Sequence, residues 1–209
     1  MREPVLTIGH STHEQGRFIA LLKQHRITAL CDVRSTPYSR VNPQFNRESL
    51  KEALRGSGIA YVFVGDELGA RSKDPTCYER GKVQYDRLAQ TDLFRRGIER
   101  VREGASKYKL VLMCAEREPL ECHRTILVAR HLSISGLEIQ HVHADGRLES
   151  HADALSRLAR MLNLSEHDMF HSREEVFDDA YRRQEERIAY RSGLTRSTTE
   201  NDPASGVSG

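Results

Sequence analysis

The sequence predicts a three-layer α/β fold, in which a mostly parallel, five-stranded sheet is flanked by helices and followed by C-terminal helices. Short apolar runs alternate along the chain with segments of helical apolar spacing, which is the pattern of repeated βαβ units. Several of these runs are continuously apolar, as is typical of parallel strands buried on both faces. The length of 209 residues fits one such domain with a helical appendage.

Five short segments rich in β-branched and aliphatic residues are predicted to form the strands. Each ends at polar or turn-forming residues. Helical segments separate them along the chain, so crossover connections make the sheet parallel. The predicted strands span residues 5–10, 27–33, 59–64, 109–114 and 137–143.

Six segments are predicted to be helices because apolar residues recur at helical spacing or because a helix-start signal precedes them. Pro119 suits the first turn of the fourth helix. Ser172 and Glu175 have the spacing of a capping box at the start of the sixth. The predicted helices span residues 14–25, 46–55, 85–104, 119–135, 151–162 and 172–190.

The chain is predicted to have three parts. Residues 1–150 form the α/β domain, and residues 151–192 form a helical extension. Residues 193–209 are small and polar, which predicts a disordered tail. Within the first part, residues 65–82 are polar without an apolar period, and a connection of this length is often a lid or a binding loop.

The composition argues against several classes of protein. The chain has 32 basic and 30 acidic residues and a net charge of +2, unlike a strongly basic nucleic-acid coat or a polybasic membrane anchor. No run approaches the roughly 20 apolar residues of a membrane span. The four cysteines include no C-x-x-C pair and are too few for a disulfide scaffold, so we expect a reduced, cytoplasmic protein. The sequence contains neither a Walker-type nucleotide loop nor a Cys-x5-Arg phosphatase loop.

Reactive side chains follow the predicted strands. Ligands of open α/β sheets bind beyond the carboxyl ends of the strands, so residues at these ends are the first candidates for a site. The candidates are His10 and Ser11 after the first strand, Asp32, Arg34 and Ser39 after the second, and Cys114, Glu116, Cys122, His123 and Arg124 after the fourth.

Cys122 is the candidate nucleophile. A cysteine in the first turn of a helix feels the positive end of the helix, and Arg124 adds a cation nearby. Such settings lower the pKa of a thiol, and the thiolate is the reactive form. The alternative is that Cys122 is a small buried residue facing the sheet.

A metal site is a second interpretation of the same residues. Thiolates and imidazoles are the ligands that zinc and iron prefer. A cysteine at a strand end and another at the start of the next helix could converge, although their spacing matches no known finger or ribbon. The alternative metal set is Cys114, Cys122, His123 and His10.

A third interpretation is a nucleic-acid or protein-binding module without catalysis. Such a module needs a cationic patch to hold phosphates. The last predicted helix mixes basic with acidic residues, which is typical of a solvated face.

A set of motifs, in this order and spacing, resembles the family catalogued as domain of unknown function 488. The resemblance covers about residues 6–146, and residues 151–190 resemble the C-terminal extension of one branch of the family. The family has no established activity, so the resemblance implies membership but no reaction. The chain has Ala70 where relatives often have glycine, which restricts positive φ at that turn. The motifs are Thr7-Ile-Gly-His-Ser11, Asp32-Val-Arg34, Asn42-Pro-Gln-Phe45, Leu68-Gly69, Met113-Cys-Ala-Glu116 and Cys122-His-Arg124.

From these residue types we expect an enzyme that acts on a small anionic ligand, nucleotide-like or phosphorylated, by group transfer or hydrolysis. Cys122, or less favourably Cys114, is the expected nucleophile, and Asp32 or His10 is the expected base. Glu116 is expected to position the reacting groups. The expected ligand-binding residues are Ser11, Arg34, Ser39, His123 and Arg124.

Overall fold

A computed structural model describes residues 3–166 and 171–192 of the chain. Within them, strands and helices alternate as the apolar pattern predicts. The strands are β1 (Val5–Gly9), β2 (Ala29–Asp32), β3 (Ala60–Phe63), β4 (Tyr78–Glu79), β5 (Lys82–Val83), β6 (Leu110–Cys114), β7 (Ile139–Val142) and β8 (Leu148–Ser150).

The central sheet has six strands in the order β3-β2-β6-β1-β7-β8. The first five in this order pair in parallel, with Leu6 of β1 opposite Val111 of β6 and Val5 opposite Ile139 of β7. The predicted parallel, five-stranded sheet is therefore confirmed. β8 is an additional antiparallel edge strand beside β7. Sequence reasoning missed it because its three residues contain no apolar run.

Helices cover both faces of the sheet. Short 3-10 turns occur at Pro43–Phe45, Pro75–Cys77 and Pro119–Glu121, and a π-helical turn spans Arg124–Ala129. The α-helices are α1 (Gln15–Gln24), α2 (Arg47–Arg55), α3 (Gly65–Leu68), α4 (Tyr85–Ala89), α5 (Asp92–Ala105), α6 (Arg130–Ile134), α7 (His151–Met161) and α8 (Arg173–Ile188).

Three predicted segments differ in the structure. The predicted helix 85–104 is divided into α4 and α5, because the Thr91 side chain accepts the N–H of Phe94 and begins a new helix. The predicted helix 119–135 is a 3-10 turn, an extended residue, a π-helical turn and α6. The predicted loop 65–82 contains α3 and pairs β4 with the start of β5 in a small antiparallel hairpin.

Two apolar layers, one on each face of the sheet, form the core. In β6, Leu110 and Leu112 face one layer, whereas Val111 and Met113 face the other. Alternating side chains of a strand point to opposite faces, so a strand that is apolar throughout serves both layers. The three-layer architecture is confirmed.

The C-terminal helices pack against the sheet domain. The buried Gln184 side chain of α8 donates a hydrogen bond to the Leu120 carbonyl at 2.8 Å, and the Val83 N–H donates to the Tyr190 carbonyl at 3.0 Å. Among the described residues, no helix has the length and apolar character needed to cross a membrane. The division at residue 150 stays a prediction, and the predicted tail lies outside the described residues.

Candidate functional site

The carboxyl ends of β1, β2 and β6 meet at one edge of the sheet, where they open into a cavity of about 600 Å³. This is the edge at which parallel sheets bind ligands, and the volume suits a small organic molecule. Most of the predicted site residues line this cavity. They are His10, Ser11, Arg34, Ser39, Cys114, Glu116, Cys122 and His123.

Four of these residues form a compact group that we term the Cys–His–Glu cluster: Cys114, Glu116, Cys122 and His123. Their sulfur, nitrogen and carboxylate oxygen atoms all lie within 4.8 Å of one another. Cys114 is the last residue of β6, and Cys122 follows the 3-10 turn in an extended conformation. A single strand–loop–turn segment therefore supplies all four side chains.

His123 has a fixed orientation within the cluster. Its Nε2 lies 3.0 Å from the Val33 carbonyl oxygen, which can only accept, so Nε2 carries a proton. Nδ1 then faces the two sulfurs. Burial acts to lower the pKa of His123, but the hydrogen bond with Cys122 and the charge of Cys122 raise it above its usual value. The distances from Nδ1 are 3.7 Å to Cys114 Sγ and 3.8 Å to Cys122 Sγ.

Cys122 Sγ donates a hydrogen bond to Glu116 Oε2 at 2.9 Å. Glu116 is exposed as a residue, but desolvation of its carboxyl beside the cluster raises the pKa of that group. Burial also acts to raise the pKa of Cys122, but its hydrogen bond with Cys114 and the charge of Arg124 place that pKa well below its usual value. Burial raises the pKa of Cys114 well above its usual value. The two thiols therefore differ, and Cys122 is the one whose pKa is lowered.

Arg124 lies behind the cluster rather than in the cavity. Its side chain is fully buried and donates hydrogen bonds to the carbonyls of Glu116 at 2.7 Å and Arg117 at 3.4 Å. Its backbone N–H donates to Cys122 Sγ at 3.4 Å. The expectation that Cys122 lies in the first turn of a helix is wrong, because Cys122 is extended between two short turns. Arg124 takes over the stabilisation that the helix was expected to provide.

Asp32 and Arg34 pair with each other below the cavity. Arg34 Nε donates to Asp32 Oδ1 at 2.9 Å and Arg34 Nη2 donates to Oδ2 at 2.7 Å, which is a bidentate pair. The Tyr61 hydroxyl also donates to Asp32 Oδ2, at 2.8 Å. Asp32 is completely buried and is not among the residues that line the cavity.

His10 belongs to this buried pair rather than to the Cys–His–Glu cluster. Arg34 Nη1 donates to His10 Nε2 at 3.2 Å, so His10 Nδ1 carries the proton and donates to the Ser11 carbonyl at 2.8 Å. The ring stacks on Phe45 with centroids 4.3 Å apart. Burial lowers the pKa of His10 to about 4, so the ring is neutral at pH 7. The metal set predicted from the sequence included His10. In the structure, Glu116 and not His10 lies beside the other three residues of that set.

The two predicted serines hold the backbone of the cavity rim. Ser11 has a positive φ of 48°, and its N–H donates to the Ala115 carbonyl at 2.9 Å, which ties the ends of β1 and β6 together. Ser39 Oγ accepts the N–H of Asn42 at 3.1 Å. Both side chains line the cavity.

Sequence reasoning missed four further residues that line the cavity. Arg71, Tyr85, Ile188 and Tyr190 line it together with the predicted residues. Arg71 lies in the predicted loop, Tyr85 begins α4, and the other two come from the C-terminal extension. A search at strand ends could not find them, because none of them follows a strand of the central sheet.

Comparison with known protein families identifies the family of this chain. The model of the family described as Domain of unknown function DUF488 matches residues 14–131, which is more than half of the chain. The chain belongs to the DUF488 family. The match includes all four residues of the Cys–His–Glu cluster, and α7 and α8 lie beyond it as the C-terminal extension. No curated protein and no solved structure shows significant similarity to the chain.

Proposed function

We propose that this DUF488 protein binds a divalent transition metal ion, zinc above all, at the Cys–His–Glu cluster and is an enzyme for a small anionic ligand. The observation that supports this proposal is the convergence of two thiols, an imidazole nitrogen and a carboxylate within 4.8 Å. Thiolate and imidazole ligands favour zinc over magnesium or calcium, which take oxygen ligands.

The distances within the cluster suit a tetrahedral ion. Sulfur and nitrogen ligands of one tetrahedral zinc ion lie about 3.6 Å apart when their bonds have ordinary lengths. The 3.7 and 3.8 Å separations between His123 Nδ1 and the two sulfurs are close to this value. The hydrogen bond from His123 Nε2 to the Val33 carbonyl is the outer contact that metal-binding histidines usually make.

The cluster has one side that opens to the cavity. Cys114, Cys122 and His123 are buried, whereas Glu116 is exposed at the cavity edge. The three buried residues would hold the ion, and Glu116 would either complete the coordination or exchange a proton with the ligand. A zinc ion in such a site polarises oxygen atoms and activates water, which is the chemistry of hydrolysis and group transfer.

The second candidate function is catalysis by the Cys122 thiolate without a metal. The observation that favours it is the pair of contacts at this sulfur, the N–H of Arg124 at 3.4 Å and the Glu116 carboxyl at 2.9 Å. Cys122 would then be the nucleophile and Glu116 the proton donor. The two candidates exclude each other, since a metal-bound sulfur is not free to attack. Both require reduced thiols, for which we propose a cytoplasmic setting.

Metal analysis of protein purified without an affinity tag and without chelator tests the proposal. We expect about one zinc ion per chain in the wild type and in Cys77→Ala, which removes a buried thiol outside the cluster. Cys114→Ala and Cys122→Ala should lose the metal. Protein that takes up no zinc, even when zinc is added in excess, would contradict the metal proposal. Rapid alkylation of Cys122 in that protein would support the thiol candidate.

A further inference from the structure

Tyr85 presents an unpartnered hydroxyl to the cavity. The residue is 3% exposed and lines the cavity, and among the described residues its hydroxyl makes no hydrogen bond. The hydroxyl is not one of the fully buried polar atoms that lack a partner in the described part of the chain, so it is open to the cavity. Tyr85 is close enough to the Cys–His–Glu cluster to feel the charges of Cys122, Cys114 and Glu116. A ligand bound beside the cluster could accept a hydrogen bond from this hydroxyl.

The C-terminal helix α8 fixes the position of Tyr85. The backbone N–H of Tyr85 donates to Glu185 Oε1 of α8 at 2.7 Å. Two residues earlier, the Val83 N–H donates to the Tyr190 carbonyl at 3.0 Å. Gln84 N–H donates to the Cys77 carbonyl at 2.8 Å. The orientation of Tyr85 toward the cavity is therefore set by contacts that involve the extension.

Arg71 presents a cation to the same cavity. Its backbone N–H donates to Ser35 Oγ at 3.0 Å, which holds the residue at the rim. Its guanidinium lies over the ring of Tyr190 at 4.6 Å. Within residues 3–166 and 171–192, no carboxylate forms a salt bridge with it, whereas Arg34, which also lines the cavity, is paired with Asp32. Arg71 keeps its donors for a ligand.

We propose that Arg71 and Tyr85 form an oxyanion-binding wall that holds the phosphate or carboxylate group of the ligand in the cavity that the Cys–His–Glu cluster also lines. This inference rests on the proposed function only in placing the anionic ligand in the cavity beside the Cys–His–Glu cluster. A guanidinium binds both phosphate and carboxylate through two parallel hydrogen bonds, and the tyrosine hydroxyl adds a third donor. The Tyr190 ring packs against the Arg71 guanidinium and lines the same cavity, so the C-terminal extension forms part of the proposed ligand site.

The volume of the cavity sets the size of the ligand. About 600 Å³ lies in the middle of the range for sites that enclose small molecules. The same cavity is lined by Arg71 and by the Cys–His–Glu cluster, so a ligand bound in it would have its anionic group at Arg71 and its reacting group at the cluster. The ligand class is thus a small organic anion rather than a polymer.

Equilibrium dialysis with radiolabelled inorganic phosphate, and separately with radiolabelled acetate, tests the wall. We expect the wild type to bind at least one of the two anions saturably and Arg71→Ala to bind it more than tenfold more weakly. Tyr85→Phe should weaken binding several-fold, and Arg71→Lys should retain part of it. Arg95→Ala, which removes an exposed arginine paired with Asp92 outside the cavity, is the matched control and should bind as the wild type does.

The two anions distinguish a phosphate site from a carboxylate site. The inference would be overturned if the wild type binds neither anion. It would also be overturned if Arg71→Ala and Tyr85→Phe, each tested as a single variant, both bind as tightly as the wild type. Zinc content is measured on the same samples. We expect Arg71→Ala to contain as much zinc as the wild type while its anion binding is lost. If the protein takes up no zinc but still binds the anion, only the metal proposal is contradicted. Tyr85→Phe keeps the shape of the side chain, so it tests the wall even if Arg71→Ala fails to fold.

Discussion

His123 is the residue that defines the chemistry of the site. Its neighbours Cys114 and Cys122 could be two ordinary buried thiols, but the hydrogen bond from Nε2 to the Val33 carbonyl directs Nδ1 between them. These three residues were found from the sequence because ligands of parallel sheets bind beyond the carboxyl ends of the strands. Position at the strand ends could not show that Arg34 and Asp32 are engaged with each other, because their pairing depends on side-chain directions that the sequence does not display.

The ranking of zinc affinities among cluster variants follows from burial. Cys122→Ala and His123→Ala remove buried donors, so each should weaken zinc binding by more than the 10–100-fold typical of lost outer-shell contacts. Glu116→Gln keeps the three buried donors and should retain far more affinity. Competition with a chromophoric chelator measures the order. An affinity lower in Glu116→Gln than in Cys122→Ala would contradict it.

Gly9 holds the end of β1 against the loop that carries Glu116. A Cβ at this position would lie 1.8 Å from the Glu116 carbonyl oxygen. Gly9→Ala must therefore displace that loop, and we expect a loss of about 3 kcal/mol in the free energy of unfolding. Urea denaturation followed by circular dichroism measures it.

Gly16 provides the matched control for Gly9. It lies in α1, and a Cβ there would meet nothing within 4 Å. Gly16→Ala should stabilise the protein by about 0.5–1 kcal/mol, because alanine is the better helix former. Equal effects of the two substitutions would show that the close approach at Gly9 carries no strain.

At the scale of elements, the segment that follows β6 departs most from its prediction. Pro119 does begin a helical turn, but it is a 3-10 turn of three residues, and Cys122 is extended after it. Every residue of the π-helical turn Arg124–Ala129 is buried, so the sequence has no polar face from which its period could be read. π-Helical turns frequently occur at functional sites. The departure from regular geometry coincides with the cluster.

The break between α4 and α5 depends on one hydroxyl. Thr91 Oγ1 accepts the N–H of Phe94 at 3.2 Å and donates to the Leu88 carbonyl at 2.8 Å. Thr91→Ala removes this N-cap and should lower the free energy of unfolding by about 1 kcal/mol. Thr91→Ser keeps the hydroxyl and should recover most of the loss in the same denaturation experiment. If serine and alanine are equally destabilising, the cap is not the cause.

At the scale of the whole molecule, a buried hydrogen-bond chain links the sheet to the extension. Thr7 Oγ1 lies 2.8 Å from His141 Nδ1, His141 Nε2 lies 3.0 Å from His151 Nδ1, and His151 Nε2 lies 2.7 Å from the Tyr181 hydroxyl. These residues belong to β1, β7, α7 and α8. The chain makes the stability of the fold sensitive to acid.

Burial lowers the pKa of His151 to about 4 and that of His141 well below its usual value. Between pH 6.5 and 4, the unfolded protein takes up protons that these folded histidines do not. The free energy of unfolding should therefore fall as the pH falls, by about 1.4 kcal/mol per pH unit for each such histidine. The loss is absent above pH 6.5, where both states are neutral.

Replacement of one histidine tests this dependence. His151→Gln retains hydrogen-bonding groups but does not titrate, so its stability should decline less steeply between pH 6.5 and 4 than that of the wild type. His25→Gln, outside the buried chain, is the control and should keep the wild-type slope. The slopes come from urea denaturation at several pH values. A wild-type slope in His151→Gln would contradict the role of the buried chain.

The overall architecture could be predicted because it depends on local apolar pattern. The five parallel strands and both helical layers follow from runs such as Leu110–Cys114, which repeat along the chain. The oxyanion-binding wall could not be predicted, since Tyr190 reaches the cavity only through contacts between residues about 100 positions apart, such as that of Tyr85 with Glu185. A short edge strand such as β8 has too few apolar residues to be recognised as a strand from the sequence.

The most direct test of the central claim is X-ray absorption spectroscopy at the zinc edge on zinc-loaded protein. The Cys–His–Glu cluster predicts two sulfur ligands at about 2.3 Å together with one or two nitrogen or oxygen ligands at about 2.0–2.1 Å. The spectrum should lose one sulfur in Cys114→Ala if any zinc is retained. A wild-type spectrum with no sulfur ligand, or a protein that cannot be loaded with zinc at all, would contradict the assignment of the cluster as a metal site.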